Sequence, residues 1–180
     1  MLLKDNFYII TGGPGTGKTT LLQELHVRGY PYVPEVARTL IKDQLEANGD
    51  ALPWKDARYY SCLMLGYSIR DFRALAHSQH LSFFDRGIPD TYGYEILMDF
   101  AYNDALQQAL QEYRYNTTVF ILPFWKDIYT TDNERKQDLA EAQATYHALR
   151  KAYEQAGYKL VEVPLVPVAE RADFVLRQIG

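Results

Sequence analysis

Eight residues constrain this chain more than any others: Gly12-Gly13-Pro14-Gly15-Thr16-Gly17-Lys18-Thr19. They follow the apolar run Phe7-Tyr8-Ile9-Ile10 and lead into Thr20-Leu21-Leu22-Gln23-Glu24-Leu25. The spacing G-x-x-x-x-G-K-[ST] between a strand and a helix is that of a phosphate-binding loop. Each residue type has a reason to be there. Glycines let the backbone turn with its N–H groups facing inward, which makes a nest for anions. The helix that starts near Lys18 adds unpaired N–H groups and the positive end of its dipole. Lys18 can reach β- and γ-phosphates, the Thr19 hydroxyl can hold Mg²⁺, and Thr20 at the helix start completes the nucleotide-binding set from Gly12 onward. The alternative is a glycine-rich turn with a solvated lysine, and the strand and helix on either side make it a poor fit. The loop predicts binding of a nucleoside triphosphate, read here as ATP with Mg²⁺.

Hydrophobic periodicity organises the rest around that loop. Strands are expected at 7–11, 32–34, 81–84, 117–122 and 158–163, separated by helical patterns. Pro34 marks the second as an edge or near-edge strand. Helix two should bury Val36, Leu40, Ile41 and Leu45. A long third helix is expected from Pro53 to about His77, with Leu65, Ile69, Phe72 and Leu75 inward and Cys62 as a small packing residue. A helical region from Ile88 to about Tyr113 breaks near Asn103-Asp104. Capping-box spacing at Thr131-Asp132-Asn133-Glu134 opens the best-patterned helix, with Leu139, Ala142, Tyr146, Leu149, Tyr153 and Ala156 on one face. Val168 to Ile179 is the last helix. The pattern predicts an α/β fold, a three-layer sandwich with a five-stranded parallel sheet, as one domain over 1–180. All strand carboxyl ends then share one edge, where ligands of such sheets bind.

Several charged residues converge on that edge. Asp85 ends an apolar strand, where a carboxylate can hold a Mg²⁺-bound water or pair with Thr19. Arg86 follows it, where AAA+ machines keep a glutamate that polarises water. An arginine cannot act as that base but can clamp a phosphate or a substrate oxygen, which favours transfer over hydrolysis. The alternative is a surface Arg86 paired with Asp90 or Glu95. Glu35 at the end of strand two could position an acceptor hydroxyl, and Arg38 one turn on could meet an anionic acceptor; the alternative is a plain i,i+3 salt bridge. Arg135, after the polar aromatic stretch from Phe124, could come from a segment that closes over the triphosphate, with Lys126 a weaker candidate. Trp54 and Tyr59-Tyr60 could line an acceptor pocket or simply form core and cleft wall. Pro164 to Pro167 is where an adenine would rest.

Composition narrows the function. The net charge is −4 with no long basic run, so neither nucleic acid nor an anionic membrane is an expected partner. No apolar stretch is long enough to span a bilayer, and the first residues lack the pattern of a signal peptide, which predicts a cytoplasmic protein. A single cysteine excludes internal disulfides, and the four histidines have no metal-ligand spacing. Fifteen tyrosines suit a wide cleft as well as a core. No Asn-Lys-x-Asp element for guanine specificity is present.

The loop, the Glu35/Arg38 pair, Asp85-Arg86-Gly87 with Asp90, and Tyr129…Asp132…Arg135 together resemble the small AAA-type predicted-ATPase family of P-loop kinase-like proteins. That family includes ribosylnicotinamide-kinase-like domains and is allied to nucleoside and nucleotide kinases. The resemblance implies strand order 2-3-1-4-5, a lid at about 124–135, and transfer of the ATP γ-phosphate to a small-molecule acceptor, a nucleoside or related metabolite. It also implies that Lys18, Thr19 and Asp85 handle phosphate and metal. Glu35, Arg38, Arg86 and Asp90 then meet the acceptor, and Arg135 comes from the lid. Deoxynucleoside kinases carry Glu-Arg-Ser where this chain has Asp-Arg-Gly. The competing readings are an ATPase or nucleotide switch acting on a protein partner, and a non-catalytic nucleotide-binding module. No motif identifies the acceptor or the oligomeric state.

Overall fold

The structure is a computed structural model and describes residues 1–125 and 139–180. In chain order its elements are β1 (Leu2–Leu3), β2 (Phe7–Gly12), α1 (Lys18–Val27), β3 (Tyr32–Val33), α2 (Val36–Glu46), α3 (Ala57–Ala74) and β4 (Ser82–Asp85). There follow α4 (Ile88–Leu97), α5 (Asp104–Glu112), β5 (Tyr113–Arg114), β6 (Thr118–Leu122), α6 (Leu139–Gln155), β7 (Lys159–Glu162) and α7 (Val168–Ile179).

β2 is apolar on both sides because it is the middle strand and helices cover both its faces. The main sheet runs β3-β4-β2-β6-β7, all parallel. Numbering only its five strands, the order is 2-3-1-4-5, as the resemblance implies. The short β3 sits at one edge, and Pro34, just past it, brings no N–H to a ladder.

Alternation along β2 divides the core in two. Phe7 and Ile9 point to one face, with Phe84, Val119, Phe72 of α3, Leu106 and Leu110 of α5 and Tyr153 of α6. Tyr8 and Ile10 point to the other, with Leu21, Leu22 and Leu25 of α1 and Ala172 and Val175 of α7. Aromatic edges tighten the first layer. The Phe72 ring meets Tyr115 at 4.9 Å and Phe7 at 5.3 Å, both edge-on, a geometry that adds roughly 0.5–1.5 kcal/mol per pair.

The structure departs from the periodicity in four places. Of the four residues expected to face inward on α2, only Leu40 is buried, and Leu45 is 55 % exposed, because α2 packs chiefly against α3. α3 begins at Ala57, not Pro53, since the Asp56 side chain accepts the Tyr59 N–H and caps it there. Cys62 is exposed rather than packed. A small second sheet, β1 beside β5, has no counterpart in the pattern, because two-residue strands carry no period. The break at Asn103 is a true helix boundary, with its side chain accepting the Leu106 N–H. The start of the helix predicted from Thr131 lies outside the described residues. Among those described, no helix is long and apolar enough to cross a membrane.

Candidate active site

The phosphate loop grows out of the end of β2. Gly12 has φ +144°, and a Cβ there would stand 2.6 Å from the Leu122 carbonyl oxygen of neighbouring β6. Only glycine lets the chain leave the sheet so close to its partner. Gly17, at φ +82°, turns the backbone into α1. Inside the loop the Thr16 hydroxyl donates to the Gly13 carbonyl at 2.9 Å. The Lys18 ammonium is buried and donates to the Gly12 and Gly13 carbonyls at 3.0 and 2.8 Å. Burial, with the Arg86 cation beside it, pulls the Lys18 pKa down, and the carboxylates of Asp85, Glu35 and Asp90 oppose that.

β4 lies directly beside β2, with Asp85 paired to Ile10, and so delivers Asp85 next to the loop. Asp85 is 7 % exposed, and its Oδ1 is buried with no hydrogen-bond partner. Burial pushes its pKa up against the pull of Lys18. An unsatisfied buried carboxylate oxygen is costly unless a ligand meets it. That oxygen and the Thr19 hydroxyl are the groups here that fit a Mg²⁺ ion with its waters, which prefers oxygen ligands.

The next residue, Arg86, has φ +72°, a conformation that long side chains rarely adopt. It is held on both sides. Its Nε donates to Glu35 Oε1 at 2.8 Å, and its Nη1 donates to Asp90 Oδ1 at 3.0 Å. Asp90 also accepts the Gly87 N–H at 2.9 Å, the peptide that follows the strained residue. Two further donors reach Asp90: the Thr11 hydroxyl of β2, at 2.6 Å, and the Tyr153 hydroxyl of α6. Four donors thus fill this buried carboxylate and fix the Arg86 turn from β2, α4 and α6 at once. Gly87 is explained by packing. A Cβ there would meet the Ile9 side chain at 2.6 Å and the Tyr115 ring at 3.2 Å.

Glu35 links this knot to the second helix. Its Oε2 accepts Arg38 Nε at 3.1 Å while Oε1 holds Arg86. Burial alone would raise its pKa, yet Arg86, Lys18 and Arg38 together hold it down to about 2. The Arg86 guanidinium is held charged: burial works against it, and Glu35, Asp90 and Asp85 outweigh burial. Tyr60 of α3 is buried close by, and burial with the nearby Glu35 charge pushes its hydroxyl pKa well up.

The structure therefore gathers Lys18, Asp85, Arg86, Glu35 and Asp90 into one cluster beside the loop. Arg86 does pair with Asp90, but buried and joined by Glu35; Glu95 instead accepts from Ser61 and Asn103. The i,i+3 bridge of Glu35 and Arg38 exists, and Arg38 is largely exposed. Asp90 is occupied by its own donors, which makes it a support for Arg86 rather than an open contact for an acceptor. Trp54 and Tyr59 are exposed, and only Tyr60 is buried against Tyr94. Arg135 and Lys126, with Tyr129 and Asp132, lie outside the described residues. Sequence reading missed Thr11 and Tyr153 as holders of Asp90. Each was visible only as part of an apolar strand or stripe.

The sheet order and the loop define a P-loop fold of the kinase-like branch. The chain belongs to the AAA domain family, whose model matches residues 7–171. A comparison with curated proteins found no significant match. Solved structures share the fold at low identity. The NadR protein in complex with NR superposes with a TM-score of 0.71 at 16 % identity, over 99 % of this chain and 52 % of that one. This chain thus spans about half the length of NadR. Deoxyadenosine kinase from M. mycoides, with the products dCMP and dCDP bound, gives 0.63 at 14 % identity, over 96 % of this chain and 98 % of that one. Shikimate kinase from Acinetobacter baumannii, in complex with shikimate, gives 0.55 at 15 % identity, over 98 % and 93 %.

Proposed function

We propose that the protein is a cytoplasmic small-molecule kinase that transfers the γ-phosphate of ATP to a hydroxyl of a nucleoside or related metabolite. The observation that carries this is the buried, strained Arg86 between Glu35 and Asp90, where a hydrolase needs a water-activating carboxylate. Glu35 is ionised at neutral pH, and each of its oxygens keeps a lone pair for an acceptor hydroxyl. With so low a pKa it orients that hydroxyl rather than acting as a strong base. Arg86, held between Glu35 and Asp90 and within electrostatic reach of Lys18, is assigned to balance negative charge on a transferring phosphoryl group. Lys18 and the loop N–H groups hold the donor phosphates. Asp85 and Thr19 would hold Mg²⁺, which would offset the negative charge of the phosphates. The acceptor oxygen gains the bond to phosphorus as the bond to the ADP oxygen breaks, and its proton leaves to solvent. Arg135 is proposed to add a further cation from a lid at about 124–135.

Labelled ATP with Mg²⁺, incubated with a panel of nucleosides, nucleotides and ribosylated cofactor precursors, tests the reading. A phosphorylated acceptor is expected, with ADP formed only in its presence. Brisk ADP formation without any acceptor overturns transfer and favours an ATPase.

A further inference from the structure

Away from the loop, the far end of α4 buries a carboxylate without giving it a cation. Past Met98 the chain turns through Asp99, at φ +51°, and the Phe100 N–H donates back to the Glu95 carbonyl at 3.0 Å. That turn brings Asn103 back to Glu95. Glu95 is only 7 % exposed, and its Oε1 accepts from the Ser61 hydroxyl of α3 at 2.7 Å and from the Asn103 amide at 2.9 Å. Among the described residues its Oε2 accepts nothing and no cation pairs with it. A glutamate this buried is normally paired. Unlike Asp85 Oδ1, the free oxygen is not sealed in by protein.

Glu95 lines a cavity of about 270 Å³ between the end of α4, the start of α5 and the outer side of α6. Tyr92, Phe100 and Tyr102 give it ring walls, and Asp99 and Lys151 are its other charged residues. Neither of those two is in an ion pair among the described residues. Nearby Arg58 is stacked on the Phe100 ring, 4.5 Å from its centroid, and does not line the cavity. Two carboxylates against one ammonium leave the cavity negative, so Glu95 lacks a cation. The donor set does not suit a metal ion: among the described residues no group of three or more His, Cys, Asp or Glu side chains gathers to hold one. A single ammonium group suits it better. It gains a charge-assisted hydrogen bond at Oε2 and the faces of the rings. Lys151 would repel a bare amine, but it would pair with a ligand that also carries a carboxylate.

We infer that this cavity binds a small amino acid, with its ammonium on Glu95 and Asp99, its carboxylate on Lys151 and its side chain against the rings. The site stands apart from the phosphate loop, since none of Lys18, Glu35, Asp85 and Arg86 lines it. It sits on the helix that carries Asp90, and the Tyr94 ring beside Glu95 meets Tyr60, 5.4 Å away, on the Glu35 side.

NMR titrations of the full chain with three probes test it: leucine, 3-methylbutylamine (leucine without its carboxylate) and 4-methylpentanoate (leucine without its ammonium). Leucine should saturate, the amine should bind about tenfold or more weaker, and the acid should not saturate. Glu95→Gln keeps an oxygen for Ser61 and Asn103 and puts an amide donor in place of Oε2. It should weaken leucine and the amine alike, by about tenfold or more. Without ligand it should melt no lower than the parent, since a buried charge without a cation has been removed. Lys151→Met should bring leucine down to the level of the amine and leave the amine no weaker. No saturation by leucine in the parent would overturn the inference, as would an acid or an amine that binds at least as well as leucine. Unchanged leucine binding in Glu95→Gln would overturn it too. An unliganded Lys151→Met that melts clearly lower would make Lys151 the internal cation of Glu95, with the same consequence. None of these outcomes bears on triphosphate binding at the loop.

Discussion

Two carboxylates five residues apart, Asp85 and Asp90, are equally buried and differently used. Asp90 accepts from Thr11, Arg86, Gly87 and Tyr153. Asp85 keeps a buried oxygen with no partner. The first is satisfied by the fold and so belongs to the scaffold that holds Arg86 in its strained turn. The second is left unmet by the fold, which is why the proposed function gives it a ligand's metal ion to meet. Saturation by internal donors separates what positions the site from what the site offers.

The comparison breaks first at Asp90. Asp90→Ala would leave a buried guanidinium, two hydroxyls and a peptide N–H without their acceptor. Losing one partner of a buried charged pair costs about 3–5 kcal/mol, and urea unfolding at neutral pH should show a loss of that size. A loss below about 1 kcal/mol would mean that these bonds do not hold the turn.

How much of this was legible beforehand follows from what kind of signal each part leaves. The loop is a local motif, so Gly12 to Thr19 were readable one by one. Asp85 and Glu35 were readable because apolar strands end at or beside them, and parallel topology sends all such ends to one edge. Whether Arg86 would be a surface ion pair or a buried clamp was not readable, since that depends on β3 and β4 being neighbours. Tyr153 joins Asp90 across 63 residues, and its sequence signal is a helix stripe that any core tyrosine would share. β1 and α2 failed for a simpler reason: two residues carry no period, and a helix packed chiefly against one neighbour buries less than its pattern offers.

A second test sharpens the paired side. Glu35 has its folded pKa depressed to about 2 from an ordinary value of 4.5. Its contribution is therefore fully present above the ordinary value and is lost as pH falls toward the folded one. The linkage is on the order of 3 kcal/mol. Urea midpoints measured from about pH 5 down to about pH 3 should fall in the parent and fall less in Glu35→Gln. Parallel curves would show that Arg86 does not hold Glu35 ionised.

The smallest stability effect should come from the unpaired carboxylate, and it is the most discriminating. Burial raises the Asp85 pKa, so between its ordinary and folded values the native state binds the extra proton, and stability falls as pH rises through that window. Asp85→Asn keeps the shape and removes that penalty, at the expense of an attraction to Lys18. The net change at neutral pH should lie within about 1 kcal/mol, on the stabilising side if desolvation dominates. Function should respond in the opposite sense. Adding Mg²⁺ should tighten nucleotide binding in the parent, and Asp85→Asn should lose about tenfold or more of that gain. A variant that unfolds easily yet keeps its Mg²⁺ response would reverse the assignment, making Asp85 scaffold and leaving the metal to Thr19 and the phosphates. A variant as stable as the parent but without that response would place Asp85 on the ligand's side.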